Sequence, residues 1–242
     1  MPSRSGSTGT VVSRLETVAP DPEPRYKPIM TTNGDFGQDL SAHWDGVYRN
    51  KAIEDVSWFE EVPAQSLSMI KDCGLALDDA VVDVGGGASR LVDYLLREGY
   101  RDLTVTDIAR SALAAARARL GDAGQKVQWM PGDITRIDLA GRYRLWHDRA
   151  VFHFLTEADA RDRYLATLRM ALLPGGHLVI ATFGLAGPER CSGLPVQRYD
   201  AQGLASVLGP GFSLTATVVR SHVTPQGREQ TFTYCRFRRL AR

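Results

Sequence analysis

Residues 80–90 read AVVDVGGGASR, and this stretch decides the fold. Its first five residues are mostly valines, which favour a buried parallel strand. Three glycines follow, and the apolar residues within 91–96 repeat at helical spacing up to Gly99, which is typical of a helix C-terminus. A strand, a glycine turn and a helix in this order let the backbone approach a nucleotide-like ligand closely.

A second predicted strand, residues 103–107, ends in an acid. Asp107 lies 20 residues beyond Gly87, and a carboxylate at this spacing can accept hydrogen bonds from two ribose hydroxyls. The pattern departs from the dinucleotide-binding fingerprint, because Arg90 stands where the third glycine is expected. Together with Asp83 before the turn, this departure favours a ligand without a pyrophosphate.

The motif at residues 83–87 (DVGGG) resembles the first motif of class I S-adenosyl-L-methionine (SAM)-dependent methyltransferases. Asp107 resembles their ribose-binding acid, and residues 132–134 (GDI) resemble the segment that contacts adenine. The resemblance covers residues 40–238 and implies SAM as cofactor, with S-adenosyl-L-homocysteine as product. The cofactor-binding residues that it implies are Asp83, Gly85, Gly86, Gly87, Asp107, Ile108, Gly132, Asp133, Ile134 and Asp148.

Residues 43–48 (HWDGVY) and 56–59 (VSWF) resemble a segment of a methyltransferase-like group within this class. That group includes protein lysine methyltransferases and uncharacterised bacterial members. In the class, such a segment lies across the carboxyl ends of the strands and helps to close over the cofactor. Trp44, Tyr48 and Trp58 are therefore either core aromatics or a wall around a sulfonium cation, to which an aromatic face is attractive.

The composition argues against several classes of function. The net charge is +1 in 242 residues, so no overall field favours nucleic acid or an anionic membrane as a partner. No apolar run approaches the ~18 residues that a membrane span requires. The three cysteines form no pair motif, which argues against a zinc site or a disulfide framework. This cysteine usage indicates a reducing, cytoplasmic location, and we expect no bound metal.

The chain is predicted to contain one domain. Residues 1–36 are predicted to be a disordered extension, because their first part is rich in Ser, Gly, Thr and Pro. Residues 37–242 are predicted to form a SAM-dependent methyltransferase domain. Three helix starts are predicted from capping residues: Ser41, a capping box at Thr156, and Asp200.

Strands alternate with helices between residues 80 and 183, which predicts right-handed crossovers and a parallel sheet. The fifth strand is predicted at residues 177–183, after a helix that ends before Pro174. Residues 212–220 and 230–238 alternate in strand fashion and lie too close for a crossover helix, so they predict an antiparallel hairpin. By resemblance, the fold class is α/β, a Rossmann-like class I methyltransferase fold with a mostly parallel seven-stranded sheet and a C-terminal antiparallel hairpin.

Methyl transfer from SAM requires the acceptor, the methyl group and the sulfur to lie in line in a dry pocket. A base is needed only when the acceptor is protonated. Asp148, Arg149 and His153 are the candidate catalytic residues, although His153 could equally be a packed histidine and Arg149 an ion-pair partner of Asp148. The glycine-rich loop at residues 184–195 is a candidate substrate lid. The candidate substrate contacts are Trp44, Tyr48, Trp58, Phe183, Cys191 and His222.

These features predict a SAM-dependent methyltransferase that acts on a small-molecule thiol, hydroxyl or amine by direct in-line displacement. The length of the lid loop favours this interpretation. A protein lysine methyltransferase is the alternative suggested by residues 43–59. A nucleotide-binding oxidoreductase or regulator is disfavoured by Arg90 and by the terminal hairpin. The sequence does not indicate an oligomeric state.

Overall fold

The structure is a computed structural model and describes residues 35–139 and 141–241. In these residues the helices are α1 Asp35–Asn50, α2 Ala64–Lys71, α3 Leu91–Arg97, α4 Arg110–Leu120, α5 Ala158–Ala171 and α6 Ala201–Leu208. The strands are β1 Val81–Val84, β2 Leu103–Asp107, β3 Val127–Pro131, β4 Tyr143–Arg149, β5 Leu172–Phe183, β6 Arg190–Cys191, β7 Leu194–Pro195, β8 Phe212–Val223 and β9 Glu229–Arg239. Single 3-10 turns occur at Ile53–Asp55, Gly121–Lys126 and Phe152–Phe154.

The main sheet has seven strands in the order β3-β2-β1-β4-β5-β9-β8. The first five strands pair in parallel, and β9 runs antiparallel to both β5 and β8. The predicted α/β fold, with its C-terminal antiparallel hairpin, is confirmed. Because the strand order reverses between β1 and β4, a crevice opens beyond the carboxyl ends of these two strands.

Apolar side chains cover both faces of the sheet, which explains the continuous valine pattern of β1. One face packs beneath α5 and α6, with Trp146, Tyr164 and Leu204 fully buried. The other face packs beneath α2, α3 and α4, with Leu91 and Leu145 buried. Successive residues of a strand point to opposite faces, so neighbouring positions in β4 belong to different halves of the core.

The boundaries of several elements differ from the prediction. Helix α1 begins at Asp35, so Ser41 is not its cap; the Ser41 hydroxyl instead donates to the carbonyl of Ile108 at 3.1 Å. Helix α5 begins at Ala158 without a side-chain cap, and no capping box forms at Thr156. Here Arg161 holds the preceding turn by donating to its backbone carbonyls.

Other boundaries agree more closely with the prediction. Asp200 caps α6 as predicted and accepts a hydrogen bond from the amide of Gly203 at 2.7 Å. Strand β5 begins at Leu172, earlier than predicted, because the pairing of β4 with β5 shifts register and accommodates Pro174.

The predicted boundary at residue 37 lies inside α1. Residues 1–34 lie outside the described residues, so the predicted disorder there stays a prediction. No helix in the described ranges has the length and apolar character that a membrane span requires.

Candidate active site

The glycine turn after β1 forms the floor of the crevice. Gly85 and Gly87 adopt positive φ angles of 64° and 41°, a conformation that favours glycine. A Cβ atom on Gly86 would lie 2.5 Å from Oδ2 of Asp83, and a Cβ atom on Gly87 would lie 2.6 Å from Oδ2 of Asp107. The three glycines therefore bring the backbone close to two buried carboxylates.

Arg119 on α4 fixes the outer side of the glycine turn. Its guanidinium donates to the carbonyls of Ala88 and Ser89 at 2.9 and 2.8 Å and forms a bidentate ion pair with Asp93. Two parallel N–H···O bonds give such a pair a defined geometry. This contact was not predicted from the sequence, because one arginine among several on a helix gives no signal of its long-range partner.

Asp107 ends β2 as predicted and is 8% exposed. Its Oδ1 atom accepts a hydrogen bond from the amide of Ala109 at 2.8 Å, while Oδ2 lies beside Gly87. Burial raises the pKa of Asp107 to about 7. A ligand that donates hydrogen bonds to this buried carboxylate would therefore stabilise its ionised form.

The segment predicted to contact adenine follows β3. The amide of Gly132 donates to the carbonyl of Asp107 at 2.9 Å, which joins this segment to the end of β2. Oδ1 of Asp133 accepts two hydrogen bonds from Thr135, both at 2.8 Å, so this aspartate closes a turn. Ile134 is 7% exposed and packs in the core. These residues border the crevice, and their contact with adenine stays a prediction.

A cavity of about 50 Å³ lies above the glycine turn. We call residues 53–63 the cover segment, because they close this cavity from the solvent side. The lining residues are Tyr48, Ile53, Val56, Trp58, Phe59, Glu60, Pro63, Ser66, Asp83, Val84, Gly85, Gly86, Ala88, Ser89, Leu91, His147 and Arg149. Small-molecule sites usually measure roughly 300–1,000 Å³, so a nucleoside cofactor can enter only if the cover segment moves.

Arg149 anchors the middle of the cover segment. Its guanidinium donates to the carbonyl of Trp58 at 2.9 Å and to the hydroxyl of Tyr234 at 2.9 Å, and it lies 3.2 Å from a carboxylate oxygen of Glu60. It also lies over the Phe232 ring, 4.7 Å from the centroid. Arg149 therefore ties β4, β9 and the cover segment together, and it does not pair with Asp148.

Arg90 anchors the cover segment from the other side. It lies 3.1 Å from Glu61 and 3.9 Å from Glu54, and its guanidinium lies 5.7 Å from the centroid of the Phe59 ring. The carboxylates of Glu54 and Glu61 are exposed, so solvent weakens these ion pairs. The residue that breaks the dinucleotide fingerprint thus contacts the cover of the cavity.

A row of hydrogen bonds joins Asp83, His147 and Ser66 at the base of the cavity. Nδ1 of His147 lies 2.7 Å from Oδ1 of Asp83, and its Nε2 lies 2.9 Å from Oγ of Ser66. All three side chains are less than 5% exposed. His147 and Ser66 were not predicted as site residues, although strand alternation gives a signal for His147, which occupies the face of β4 that Asp83 occupies on β1.

Asp148 requires a correction, because the structure turns it away from the cavity. Its carboxylate is fully buried and accepts hydrogen bonds from the hydroxyl of Tyr164 at 2.6 Å and from the amides of Val151 and Phe152. Burial raises the pKa of Asp148 to about 6. All of these partners lie on the α5 side of the sheet or in the loop after β4. These contacts assign Asp148 to holding this loop, and not to contact with cofactor or substrate.

His153 is fully buried beside Phe154 and Phe183. Its Nδ1 atom accepts a hydrogen bond from the amide of Phe183 at 3.2 Å, which places the ring proton on Nε2. Burial, reinforced by the charge of Arg149, lowers the pKa of His153 to about 3. This histidine is therefore neutral at physiological pH, and it does not line the cavity, so the packed alternative describes it better than a catalytic role.

The predicted aromatic residues separate into two groups. Trp44 and Tyr48 of α1 pack edge-to-face on Trp58, with centroids 5.7 and 6.0 Å apart, and the Tyr48 hydroxyl lies close to Gly87. This group forms a wall above the turn. Phe183 instead packs between His153 and Phe232 and is 1% exposed, so it supports the site from the core.

An open cleft of about 340 Å³ lies on the far side of Arg149. Its lining residues are Glu60, Val62, Ala64, Gln65, Arg220, Ser221, His222, Phe232 and Tyr234. Glu60 lines both the cleft and the cavity, so it lies in the wall between them. The predicted substrate residue His222 is thus brought to this cleft.

His222 presents a free ring nitrogen to its surroundings. Its Nε2 atom lies 2.8 Å from the carbonyl of Ser57, which can only accept, so Nε2 carries the ring proton. The lone pair is therefore on Nδ1, which lies 3.8 Å from Glu60. Burial, together with the charge of Arg149, lowers the pKa of His222 and keeps the ring neutral.

The loop predicted to be a lid contains the short β6–β7 hairpin. Arg198 holds it by donating to the carbonyls of Leu185 and Gly187 at 3.0 and 3.1 Å. Cys191 on this hairpin is 5% exposed, and burial raises its pKa to about 11. Cys191 is therefore a neutral thiol, and its contact with substrate stays a prediction.

Across the described ranges, no group of three or more His, Cys, Asp or Glu could hold a metal ion.

Comparison with known proteins places this geometry in context. Residues 81–176 match the family described as methyltransferase domain. A malonyl-[acyl-carrier protein] O-methyltransferase from Anoxybacillus flavithermus is 29% identical over 157 residues, which cover 62% of this chain and 57% of that protein. The chain thus spans little more than half of that relative. An EEF1A lysine methyltransferase 2 from Danio rerio is 25% identical over 199 residues, which cover 76% of this chain and 77% of that protein.

Among solved structures, the Burkholderia thailandensis 1,6-didemethyltoxoflavin-N1-methyltransferase superposes with a TM-score of 0.61 at 21% identity. The match covers 84% of this chain and 86% of that one, and that protein was solved with 1,6-didemethyltoxoflavin and S-adenosylhomocysteine bound. Residues 81–176 thus match a methyltransferase domain, and the chain as a whole has the class I SAM-dependent methyltransferase fold.

Proposed function

We propose that the protein transfers a methyl group from SAM to a small-molecule acceptor by direct in-line displacement. When bound, SAM supplies a methyl group on a sulfonium, which is an activated leaving group. The glycine turn, Asp83 and Asp107 would hold the cofactor, with residues 132–134 at the adenine end. The observation that carries the acceptor class is the cleft of about 340 Å³ that shares Glu60 with the cofactor cavity.

The cleft suits a small molecule in size and lining. Its volume lies within the range of roughly 300–1,000 Å³ that is usual for small-molecule sites. Phe232 and Tyr234 provide aromatic surface, and Gln65, Ser221 and Arg220 provide polar groups. Movement of Glu60 with the cover segment would join the cleft to the cavity and bring an acceptor next to the methyl group.

A protein lysine acceptor is the second candidate, because the Danio rerio relative is described as a lysine methyltransferase. A lysine ammonium would need a carboxylate to receive it. Glu60 is the carboxylate among the cleft-lining residues that the structure describes, and it already pairs with Arg149 at 3.2 Å. The cleft therefore offers less to a cationic acceptor than to a neutral or anionic one.

His222 is the group best placed to take a proton from the acceptor. Its Nδ1 lone pair faces the Glu60 side of the cleft, and its lowered pKa keeps the ring neutral at physiological pH. A neutral histidine can act as a general base on a hydroxyl or on a protonated amine. A thiolate acceptor would not require it. This role replaces the one predicted for Asp148 and His153.

Incubation of the protein with radiolabelled SAM and a cell extract separated by size tests the acceptor class. We expect the label in the small-molecule fraction, at a rate that falls in the His222→Gln variant while SAM affinity is kept. A reaction with boiled protein serves as the control. Label on lysine residues of protein, with the small-molecule fraction unlabelled, would contradict the proposal and favour the second candidate.

The affinity for SAM is expected to depend on pH through Asp107. The carboxylate accepts hydrogen bonds from ribose hydroxyls in its ionised form, and its pKa in the free protein is about 7. Affinity should therefore be complete above this pH and decline as pH falls through it, by roughly tenfold between pH 8 and pH 6. Titration calorimetry at several pH values measures this. Asp107→Asn, which does not titrate, should remove the pH dependence; an unchanged slope would show that another group causes it.

A further inference from the structure

His147 and Asp83 face each other across two neighbouring strands. They are direct register partners in the parallel pairing of β1 with β4. The Nδ1 atom of His147 lies 2.7 Å from Oδ1 of Asp83, and a Cβ atom on Gly86 would lie 2.5 Å from the other carboxylate oxygen. One oxygen of Asp83 is therefore held by a hydrogen bond, and the other occupies space that only a glycine at position 86 leaves open.

The hydrogen-bond row orients the carboxylate at its end. Carboxylate oxygens accept, so Nδ1 of His147 donates a hydrogen bond to Oδ1 of Asp83 at 2.7 Å. Nε2 of the same ring lies 2.9 Å from the hydroxyl of Ser66 on the far side. The imidazole is thus held from both sides, with the Asp83 carboxylate at the edge of the cavity.

Asp83 differs from the other charged groups that line the cavity. Of the carboxylates found there in the described residues, Glu60 pairs with the guanidinium of Arg149, whereas the hydrogen-bond partner of Asp83 is the imidazole of His147. Burial of a carboxylate is costly unless it is paired and hydrogen-bonded. The methionine end of SAM has an ammonium group, which can pair with Asp83.

We propose that His147 is a positioning residue of the cofactor site, which holds the Asp83 carboxylate in the orientation that receives the SAM ammonium. Ser66 extends this role, because it lies on α2 directly after the cover segment and bonds to the far side of the same imidazole. Closure of the cover segment and orientation of Asp83 are thereby linked. The proposal rests on SAM as cofactor and is independent of the identity of the methyl acceptor.

Two ligands that differ in the ammonium group test the proposal. S-adenosylhomocysteine contains the whole amino acid, whereas 5′-methylthioadenosine has the same adenosine and thioether without it. We expect His147→Leu to weaken S-adenosylhomocysteine about tenfold or more, as befits a charge-assisted hydrogen bond, and to leave 5′-methylthioadenosine affinity unchanged. Titration calorimetry with both ligands measures the difference. An equal loss for both ligands would show a merely structural role and overturn the proposal.

Two matched variants keep the test decisive. In His147→Asn the side-chain amide can still donate to Asp83, so S-adenosylhomocysteine affinity should largely be retained; a loss as large as in His147→Leu would contradict the proposal. Asp83→Asn keeps the shape and removes the charge, so it should reproduce the ligand-selective loss even if His147→Leu does not fold. Equal affinities of Asp83→Asn and the natural protein for S-adenosylhomocysteine would also overturn it.

Discussion

Asp107→Ala is expected to weaken SAM binding by about 100-fold or more. The carboxylate is positioned to accept hydrogen bonds from two ribose hydroxyls, and a hydrogen bond to a charged group contributes about 1.5–3 kcal/mol. Burial strengthens this expectation, because Asp107 is 8% exposed and water cannot easily take its place. Titration calorimetry with SAM and with S-adenosylhomocysteine gives the two dissociation constants directly.

The Asp107→Ala variant should remain folded, which makes the result interpretable. Burial raises the pKa of Asp107 to about 7, above its ordinary value. Its ionised form therefore costs stability as pH rises from the ordinary value through 7, and removing it should not lower the melting temperature above that range. Unchanged SAM affinity in a folded Asp107→Ala protein would refute the ribose-binding role. Gly85→Val is a less suitable test, since its side chain would meet Val151 at 2.0 Å and disturb the loop after β4.

Arg149→Met is expected to lower the free energy of unfolding by about 3 kcal/mol, because removal of one partner of a buried ion pair leaves the other charge uncompensated. The side chains of Arg149 and Glu60 are 11% and 22% exposed, and Tyr234 and the carbonyl of Trp58 also lose their donor. Methionine retains most of the apolar contact with Phe232. Urea denaturation followed by fluorescence measures the change.

Arg90→Met is the matched control, because Arg90 also contacts the cover segment but pairs with exposed carboxylates. Its replacement should cost no more than about 1 kcal/mol. A double-mutant cycle of Arg149→Met with Glu60→Gln separates the ion pair from the other contacts. Equal losses in Arg149→Met and Arg90→Met would mean that Arg149 is not the main anchor.

The fold, and the glycine turn that faces Asp107, could be predicted because their signals are local. A valine-rich strand, three glycines and an acid at the end of the next strand occur within residues 80–107, and each has one structural interpretation in that order. The antiparallel hairpin was predictable for the same reason, since the length of its connection excludes a crossover. These features depend on backbone conformation, which a few neighbouring residues largely determine.

The partners of the β4 residues could not be predicted, because their contacts join distant parts of the chain. Asp148 and His147 are adjacent, and only the packing of the two sheet faces decides which of them reaches the cavity. The partners of Arg149 come from the cover segment and from β9. Sequence spacing gives no information about such contacts. The alternation of side chains along β4, aligned with that along β1, would however have favoured His147 over Asp148 as the residue beside Asp83.

The closed cover segment has a consequence for catalytic turnover. The cavity beneath it holds about 50 Å³. If the protein turns over SAM as proposed, the contacts of Arg90 and Arg149 would break once for the cofactor to arrive and again for the demethylated product to leave. Opening of such segments commonly takes microseconds to milliseconds and limits the turnover rate of many enzymes. If opening is the slow step here, replacing either arginine would raise the steady-state rate, whereas changing the methyl acceptor would not.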